Sequence, residues 1–505
     1  RCLTGAPLGI RPLNLCLSPR SAMRSVLSLA ACACSASALR LTKEGPGLPA
    51  AATDSWGNYW PASRGMLFQQ GTTALVGPTL ELDEATENNS KILWSFHHPD
   101  GVFHSIPLGS VVDNEKNIVV TMDNAIFKVH PNGTALWRWE PPMRDSVVTT
   151  VAALGEGRLF FSTSNGKIWC LNPRDGRQIW VSKVSHIMNT TDRGFIGANE
   201  GKVIAAFNST AENERGTNGL VVALDSEHGF IRWVVMPEIP TSCFQPCFTS
   251  DGSVLFQDGE GTAYRYDLES GEQEWEAEGV DDTWTRGSPV LANGVFYTVA
   301  SNTEKARRDD EDGPDDLTPG WIFARSAEDG ALLWRKRLPL PADSPPAVGK
   351  LPGREGLSVV VPVGQTFETG QTAVIAYDAV TGDKQWTFEG PTLQSQYQAG
   401  IEYGAVFRIL GSASQMLPLT HPWSAPLIDG AGTVYVGNQD GKLYSLRDVN
   451  MDGKIEGAGE IGSMDFGAAS FATASPIIVP GMFLFTQTNS LVALKAPSSE
   501  VPVSA

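Results

Sequence analysis

Histidine and cysteine are scarce in this chain, seven of each among 505 residues. Cys2, Cys16, Cys32 and Cys34 crowd into the first 40 positions, which leaves Cys170, Cys243 and Cys247 beyond them. So few cysteines cannot staple a chain of this length, and the fold must rest on a large buried core. The stretch Cys243-Phe-Gln-Pro-Cys247 has the spacing of one small disulfide loop, and it is too wide for a Cys-x-x-Cys redox site. Cys170 lies in an apolar strand and reads as a buried thiol. His97, His98 and His104 cluster without the Glu-x-x-His or cysteine partners of a zinc centre, and His130, His186, His228 and His421 fall among turns. Loop histidines are therefore expected. G-x-S-x-G, Walker and dinucleotide motifs are absent as well.

No stretch reaches the roughly 18–20 apolar residues that span a bilayer. Basic residues are outnumbered, 38 Lys and Arg against 56 Asp and Glu, for a net charge of −18. The first 40 residues hold five Arg and no acid, so the remainder carries −23. A surface this acidic repels phosphate backbones, which excludes nucleic acid as a partner and leaves proteins, peptides and glycans.

Residues 1–22 show no periodicity and precede the first methionine, Met23. They read as an upstream extension. Residues 23–40 then combine Arg24, an apolar run from Val26 to Ala33, and small residues through Ala36-Ser37-Ala38, the order of a secretory signal peptide. Leu29-Ala30-Ala31-Cys32 also resembles a lipoprotein cleavage box, and a transit peptide or plain tail is the remaining alternative. Secretion would make acceptors of the sequons at Asn88, Asn132, Asn189 and Asn208. The expected compartment is a secretory lumen or the extracellular space.

What the chain has in quantity is glycine, 51 residues, and aromatic residues, with 14 Trp and 21 Phe. Their arrangement decides the fold. A Gly-x-x-x-Trp unit recurs at Gly133–Trp137, Gly176–Trp180, Gly229–Trp233, Gly271–Trp275, Gly330–Trp334 and Gly382–Trp386. Each copy follows a β-rich strand and a polar turn, such as TAYRY before DLESG. Successive tryptophans are 43, 53, 42, 59 and 52 residues apart. Four short strands with their turns use about 40 residues, so each interval is one propeller blade with or without an insertion. Each Trp is expected on the outermost strand of its blade, covering the gap to a neighbour.

Two further blade cores lie at Ser424–Leu446 and Ala474–Leu494, and the second ends without an outer strand. The segment Lys91-Ile92-Leu93-Trp94-Ser95-Phe96 resembles an outer strand with no blade of its own. Pairing it into the C-terminal blade hides the free edge and gives eight blades. Seven is the alternative count, because the interval from Trp386 to Ser424 is long. The expected fold is thus all-β, an eight-bladed propeller of four-stranded antiparallel blades over residues 91–496. Residues 41–90 would pack on it, and 497–505 would form a tail. The charged stretch Glu304–Asp316 and the stretch Ala206–Thr217 read as solvated insertions.

The motif Thr372–Trp386, with its Ala-Tyr-Asp-Ala-Val-Thr-Gly turn, and the opening Asp54-Ser55-Trp56-Gly57-Asn58-Tyr59-Trp60-Pro61 carry a family likeness. The chain resembles the pyrroloquinoline-quinone repeat superfamily, that is, the quinoprotein alcohol dehydrogenase-like propellers. That resemblance implies the fold. It implies no single activity, because the same propeller serves quinone-dependent dehydrogenases, an outer-membrane assembly lipoprotein and lumenal sensor domains of stress kinases. The enzymes of the family are associated with a disulfide between adjacent cysteines, and no adjacent pair exists here.

One local motif stands apart. Asp448-Val-Asn450-Met-Asp452-Gly453-Lys454-Ile455-Glu456 places oxygen ligands at positions one, three and five, glycine at six and a backbone carbonyl at seven, as in a calcium loop. Position twelve is Gly459, so the closing carboxylate Glu460 comes one residue late. Structural calcium and a metal-free Asp/Asn/Gly turn are the two readings. For the whole chain, the first expectation is a non-catalytic extracytoplasmic binding or assembly scaffold. The alternatives are a quinone- and calcium-dependent alcohol or sugar dehydrogenase and a structural component of an envelope assembly.

Overall fold

The computed structural model describes residues 53–86, 88–101, 106, 109–142, 146–185, 194–208, 219–285, 289–302, 320–342, 344–364, 370–393, 422–467, 474–487 and 490–498. They form eight antiparallel sheets, the blades of a propeller. Blade one shows the common plan, with strands Gly109–Val112, Ile118–Thr121, Ile126–Val129 and Ala135–Trp139 paired in chain order. Blades two to seven span 153–183, 197–235, 247–277, 283–338, 347–389 and 427–465. Blade five has a fifth short strand, Thr283–Trp284, beside Val290–Ala292 on the same partner.

The first strands of the blades lie innermost. Ala153–Gly155 meets Gly197–Asn199, Cys247–Phe248 meets Val290–Ala292, and Ala347–Lys350 touches both Val290–Ala292 and Leu427–Ile428. The middle strands are apolar on both faces because each face packs on a neighbouring blade. Ile118–Thr121 and Lys202–Phe207 are buried throughout. The last strand of a blade commonly has water on its outer side, and its burial alternates accordingly, as in Ala135–Trp139 and Gln273–Ala277, whereas Ile461–Asp465 of blade seven is covered by residues 80–84. The described residues contain no helix, and thus none long and apolar enough to cross a membrane.

The repeated Gly and Trp turn out to be the two halves of a lock between successive blades. The indole Nε1 of Trp137 donates to Pro173 O of blade two at 3.2 Å, Trp180 to Ser226 O of blade three at 3.0 Å, and Trp233 to Leu268 O of blade four at 3.0 Å. Trp275 and Trp334 continue the series to Ala327 O and Ala379 O, both at 3.1 Å. In every case the glycine of the next blade's turn lies on the indole. At Gly271, a Cβ would stand 2.5 Å from Trp233 Cγ, and φ is +73°. Glycine there both takes the left-handed corner and leaves room for the ring.

Blade eight closes the ring as the orphan strand suggests. Its strands Ile477–Val479, Met482–Thr486 and Ser490–Lys495 are completed by Ile92–His97, with Trp94 opposite Ala493 and Phe96 opposite Leu491. Trp94 then donates to Pro131 O of blade one at 2.8 Å, beneath Gly133. The count of eight holds. Of the two expected insertions, Glu304–Asp316 lies outside the described residues. Of Ala206–Thr217, Ala206 and Phe207 belong instead to a buried strand and Asn208 just after them is buried too, while 209–217 lies outside the described residues.

Candidate functional site

Three places on this frame offer chemistry: the inner end of the ring, the seam between blades six and seven, and the outer edge of blade three. At the first, residues 60–73 cross the ring and bond in turn to the innermost strands. Trp60 exchanges backbone hydrogen bonds with Val112 of blade one at 3.0 and 2.8 Å, and Leu154 N of blade two donates to Pro61 O at 2.8 Å. Phe248 N of blade four donates to Leu67 O, Leu291 N of blade five to Phe68 O, and Val348 N of blade six to Gln70 O, at 3.2, 3.1 and 3.0 Å. Ile428 N of blade seven donates to Gly71 O at 2.9 Å. One segment thus ties six blades together at the end of the ring that carries the first turn of each blade.

Arg64 lies within that segment and is 1% exposed. Its Nη2 donates to Pro346 O, while Nε and Nη1 find no partner. Burial pushes the guanidinium down to about 9, with a smaller opposing pull from Cys247. Burial in turn pushes the Cys247 thiol up to about 12, so it is neutral and offers no counter-charge at pH 7. Below pH 9 the folded protein bears the full cost of an unsolvated cation, and that cost lifts as the pH rises from 9 toward the free value. Arg64→Met is therefore expected to stabilise the protein at pH 7 by on the order of 1–4 kcal/mol. Thermal melting checks this, and the gap between variant and parent should narrow from pH 8 to about 10.

At the second place the lock series breaks. Blade seven has no Gly-x-x-x-Trp turn, and Trp386 of blade six, 1% exposed, is covered differently. The loop 448–460 reaches across, with Thr387 N donating to Gly453 O at 3.1 Å and Ile455 N to Thr387 O at 3.0 Å. Ile455 joins Trp386, Phe388 and Tyr444 in one apolar cluster. Beside the loop a groove of about 1220 Å³ opens between the blades, lined in part by Arg354, Asp383, Lys384 and Met451.

Within the loop, Glu460 folds back despite its late position. Its Oε1 accepts from Val449 N at 3.0 Å and Asn450 N at 3.3 Å, and its Oε2 from Glu456 N at 3.1 Å. Asn450 Oδ1 accepts from Asp452 N, and Asp452 Oδ1 from Lys454 N, at 2.8 and 2.9 Å. Lys454 Nζ stands 3.7 Å from Glu456 Oε1. Asp448 is buried, with Oδ2 on Arg354 Nη2 at 3.0 Å and Oδ1 without a partner. The carboxylates share a loop but not a point. Among the described residues no three His, Cys, Asp or Glu side chains form a metal cage.

The third place was not anticipated. The last strand of blade three, Ile231–Val235, is the free edge of its sheet. Phe230 and Met236, on either side of it, are 66% and 69% exposed, and Ile231 and Val234 are also exposed. Ile179 and Val181 of blade two are exposed as well, and Ile179 lines a hollow with Asp113 and Lys128 of blade one. The sequence signal was present as Phe-Ile-Arg-Trp-Val-Val-Met, in which Trp233 and, in part, Val235 turn inward.

The remaining expected residues are placed as follows. Cys243 and Cys247 form no disulfide, a correction to the expected loop. Cys247 lies on an innermost strand, and its Sγ turns to Pro289 O of the next blade at 3.3 Å. Cys170 is buried, as read. Asn88 and Asn132 are exposed, whereas Asn208 is buried and ill-placed as a glycan acceptor. Asn189, His104, His186 and His421 lie outside the described residues. His98 departs from the loop-histidine expectation. It is buried, with Nε2 at 2.7 Å from Asn124 Oδ1 and Nδ1 accepting from Asp100 N at 3.1 Å.

A family profile described as "Outer membrane protein assembly factor BamB" matches residues 49–233, 217–315 and 318–504. The chain belongs to that family. Among solved structures, BamB from Moraxella catarrhalis is 13% identical, with 80% of this chain and 99% of that one covered at a TM-score of 0.53. The quinohemoprotein alcohol dehydrogenase from Comamonas testosteroni is 12% identical, with 90% and 83% covered at 0.59. A europium-containing methanol dehydrogenase is 12% identical, with 86% and 90% covered at 0.54. At such identities the likeness is one of fold. No curated protein matches the sequence significantly.

Proposed function

We propose that the protein is an extracytoplasmic propeller that binds other polypeptides as a scaffold in an assembly. The observation that carries this reading is the apolar outer edge of blade three. Phe230, Ile231, Val234 and Met236 stand in water on a strand whose outer side has no strand partner among the described residues. Contiguous exposed apolar surface on a free strand edge is where an extended segment of another chain gains both burial and main-chain hydrogen bonds. The family match supports it, as does the likeness to BamB over nearly all of that protein's length. The signal-like residues 23–40 and the exposed sequon at Asn132 support the compartment.

The second reading is a quinone- and calcium-dependent alcohol or sugar dehydrogenase, favoured by the breadth of the likeness to the Comamonas enzyme. A quinone slot needs an arginine, an aspartate and calcium ligands converging on the ring axis. Among the described residues no three His, Cys, Asp or Glu side chains gather as a metal site, and no step is derived through a quinone.

The test combines both. A photo-crosslinker at Val234 should yield a discrete adduct in the native secretory fraction, and Phe230→Asp with Met236→Asp should abolish it while melting is unchanged. No adduct at Val234, together with dye-linked alcohol oxidation after adding quinone and calcium, would overturn the scaffold reading in favour of the enzyme.

A further inference from the structure

We propose that the loop 448–460 closes on a calcium ion and thereby fastens blade seven to blade six. The need for a fastener is visible in the fold. Six seams carry a Trp under a glycine, and the seam after Trp386 carries this loop instead. The loop holds Asp448, Asp452, Glu456 and Glu460 against Lys454, a density of like charge that a compact turn sustains better with a cation.

The observation that points to a ligand is Asp448. It is 4% exposed, and a carboxylate oxygen so buried rarely goes unpaired, yet Oδ1 has no partner. Arg354 takes the other oxygen and sets the orientation of the carboxylate. Position one of a calcium loop is thus fixed and buried with one oxygen to spare. Asn450 and Asp452 follow at positions three and five, the Lys454 carbonyl at seven, and Gly453 makes the sharp turn with φ at +87°.

Glu460 completes the set by a movement. Its oxygens are held by the backbone N–H groups of Val449, Asn450 and Glu456, so it already lies against the loop. Exchanging those bonds for an ion would draw the carboxylates of Asp448, Asp452 and Glu460 toward one point. Calcium suits this better than magnesium, because calcium accepts six to eight oxygens at flexible angles, whereas magnesium demands a strict octahedron and gives up water reluctantly. Closure would stiffen the Gly453 and Ile455 backbone, which pairs with Thr387 of blade six.

The full chain, stripped with chelator, is titrated with calcium chloride and with magnesium chloride by calorimetry. The expected result is one site half-saturated on the order of 0.1–1 mM calcium, with a raised melting temperature and slower hydrogen exchange at the Thr387 and Ile455 amides. Asp452→Ala, at an exposed position, should weaken binding at least about tenfold and remove the melting increment. Asp448→Asn should do the same. If that buried variant fails to fold, Asp452→Ala and Glu460→Gln carry the test. No calcium heat and no melting shift overturns the site. Binding without added protection at Thr387 and Ile455 overturns the fastening. Neither outcome bears on the apolar edge of blade three.

Discussion

Trp233→Ala is expected to cost about 3–5 kcal/mol, the range for removing a large buried aromatic side chain. Trp233 is buried between blades three and four, its Nε1 donates to Leu268 O at 3.0 Å, and the Gly271 turn lies on its face. Removing the ring leaves a cavity at the seam and an unmatched carbonyl, and the guanidinium denaturation midpoint reads the loss. Gly271→Ala approaches the same lock from the other side. Its Cβ would stand 2.5 Å from Trp233 Cγ at a φ of +73°, so the expected cost is on the order of 1–3 kcal/mol. The double variant is the sharper measurement. With the indole gone, the added methyl has space, so the pair should cost less than the sum of the singles by about 0.5 kcal/mol or more. Strict additivity would show that the glycine serves its own turn and does not complete a lock.

This lock explains why so much of the fold is legible in the residues alone. A seam made by one Trp and one Gly forces both to recur at six seams of the ring, and Trp94, though separated from the other strands of its blade by nearly the whole chain, obeys the same rule against Gly133. The segment 60–73 obeys no such rule. Its residues answer in turn to six different blades, so its sequence has no period, and the burial of Arg64 has no local sign. Asn208 misleads for a related reason. Its polar neighbours suggest a solvated insertion, but the strand Lys202–Phe207 carries burial right up to it. The calcium-like spacing from Asp448 is plain in the sequence. That Glu460 spends its oxygens on backbone N–H groups, and that Asp448 has one to spare, follows only from the three-dimensional arrangement.

Closure of the ring yields the largest expected effect. Ile92, Trp94 and Phe96 alternate along the closing strand and pack on the core shared by blades eight, one and seven, with Phe96 5.6 Å from Phe127 in an edge contact. Replacing all three by Ala removes the apolar face that holds the strand to Ser490–Lys495. From the cost of single buried aromatic and aliphatic truncations, discounted for partial exposure, the loss should be about 6 kcal/mol or more. That is a large share of the stability of a typical protein. It also bares the edge of Ser490–Lys495, so the variant should associate through that strand, and monomer recovery on size exclusion should fall sharply. The matching control is Leu93, Ser95 and His97, which alternate with the first set and face water. Their triple Ala replacement should leave the midpoint nearly in place, since substitutions at such positions each fall within about 0.5 kcal/mol. Equal losses from the two triples would show that the strand is held by backbone pairing alone. The expected asymmetry instead makes Trp94 the residue that both completes blade eight and locks it to blade one.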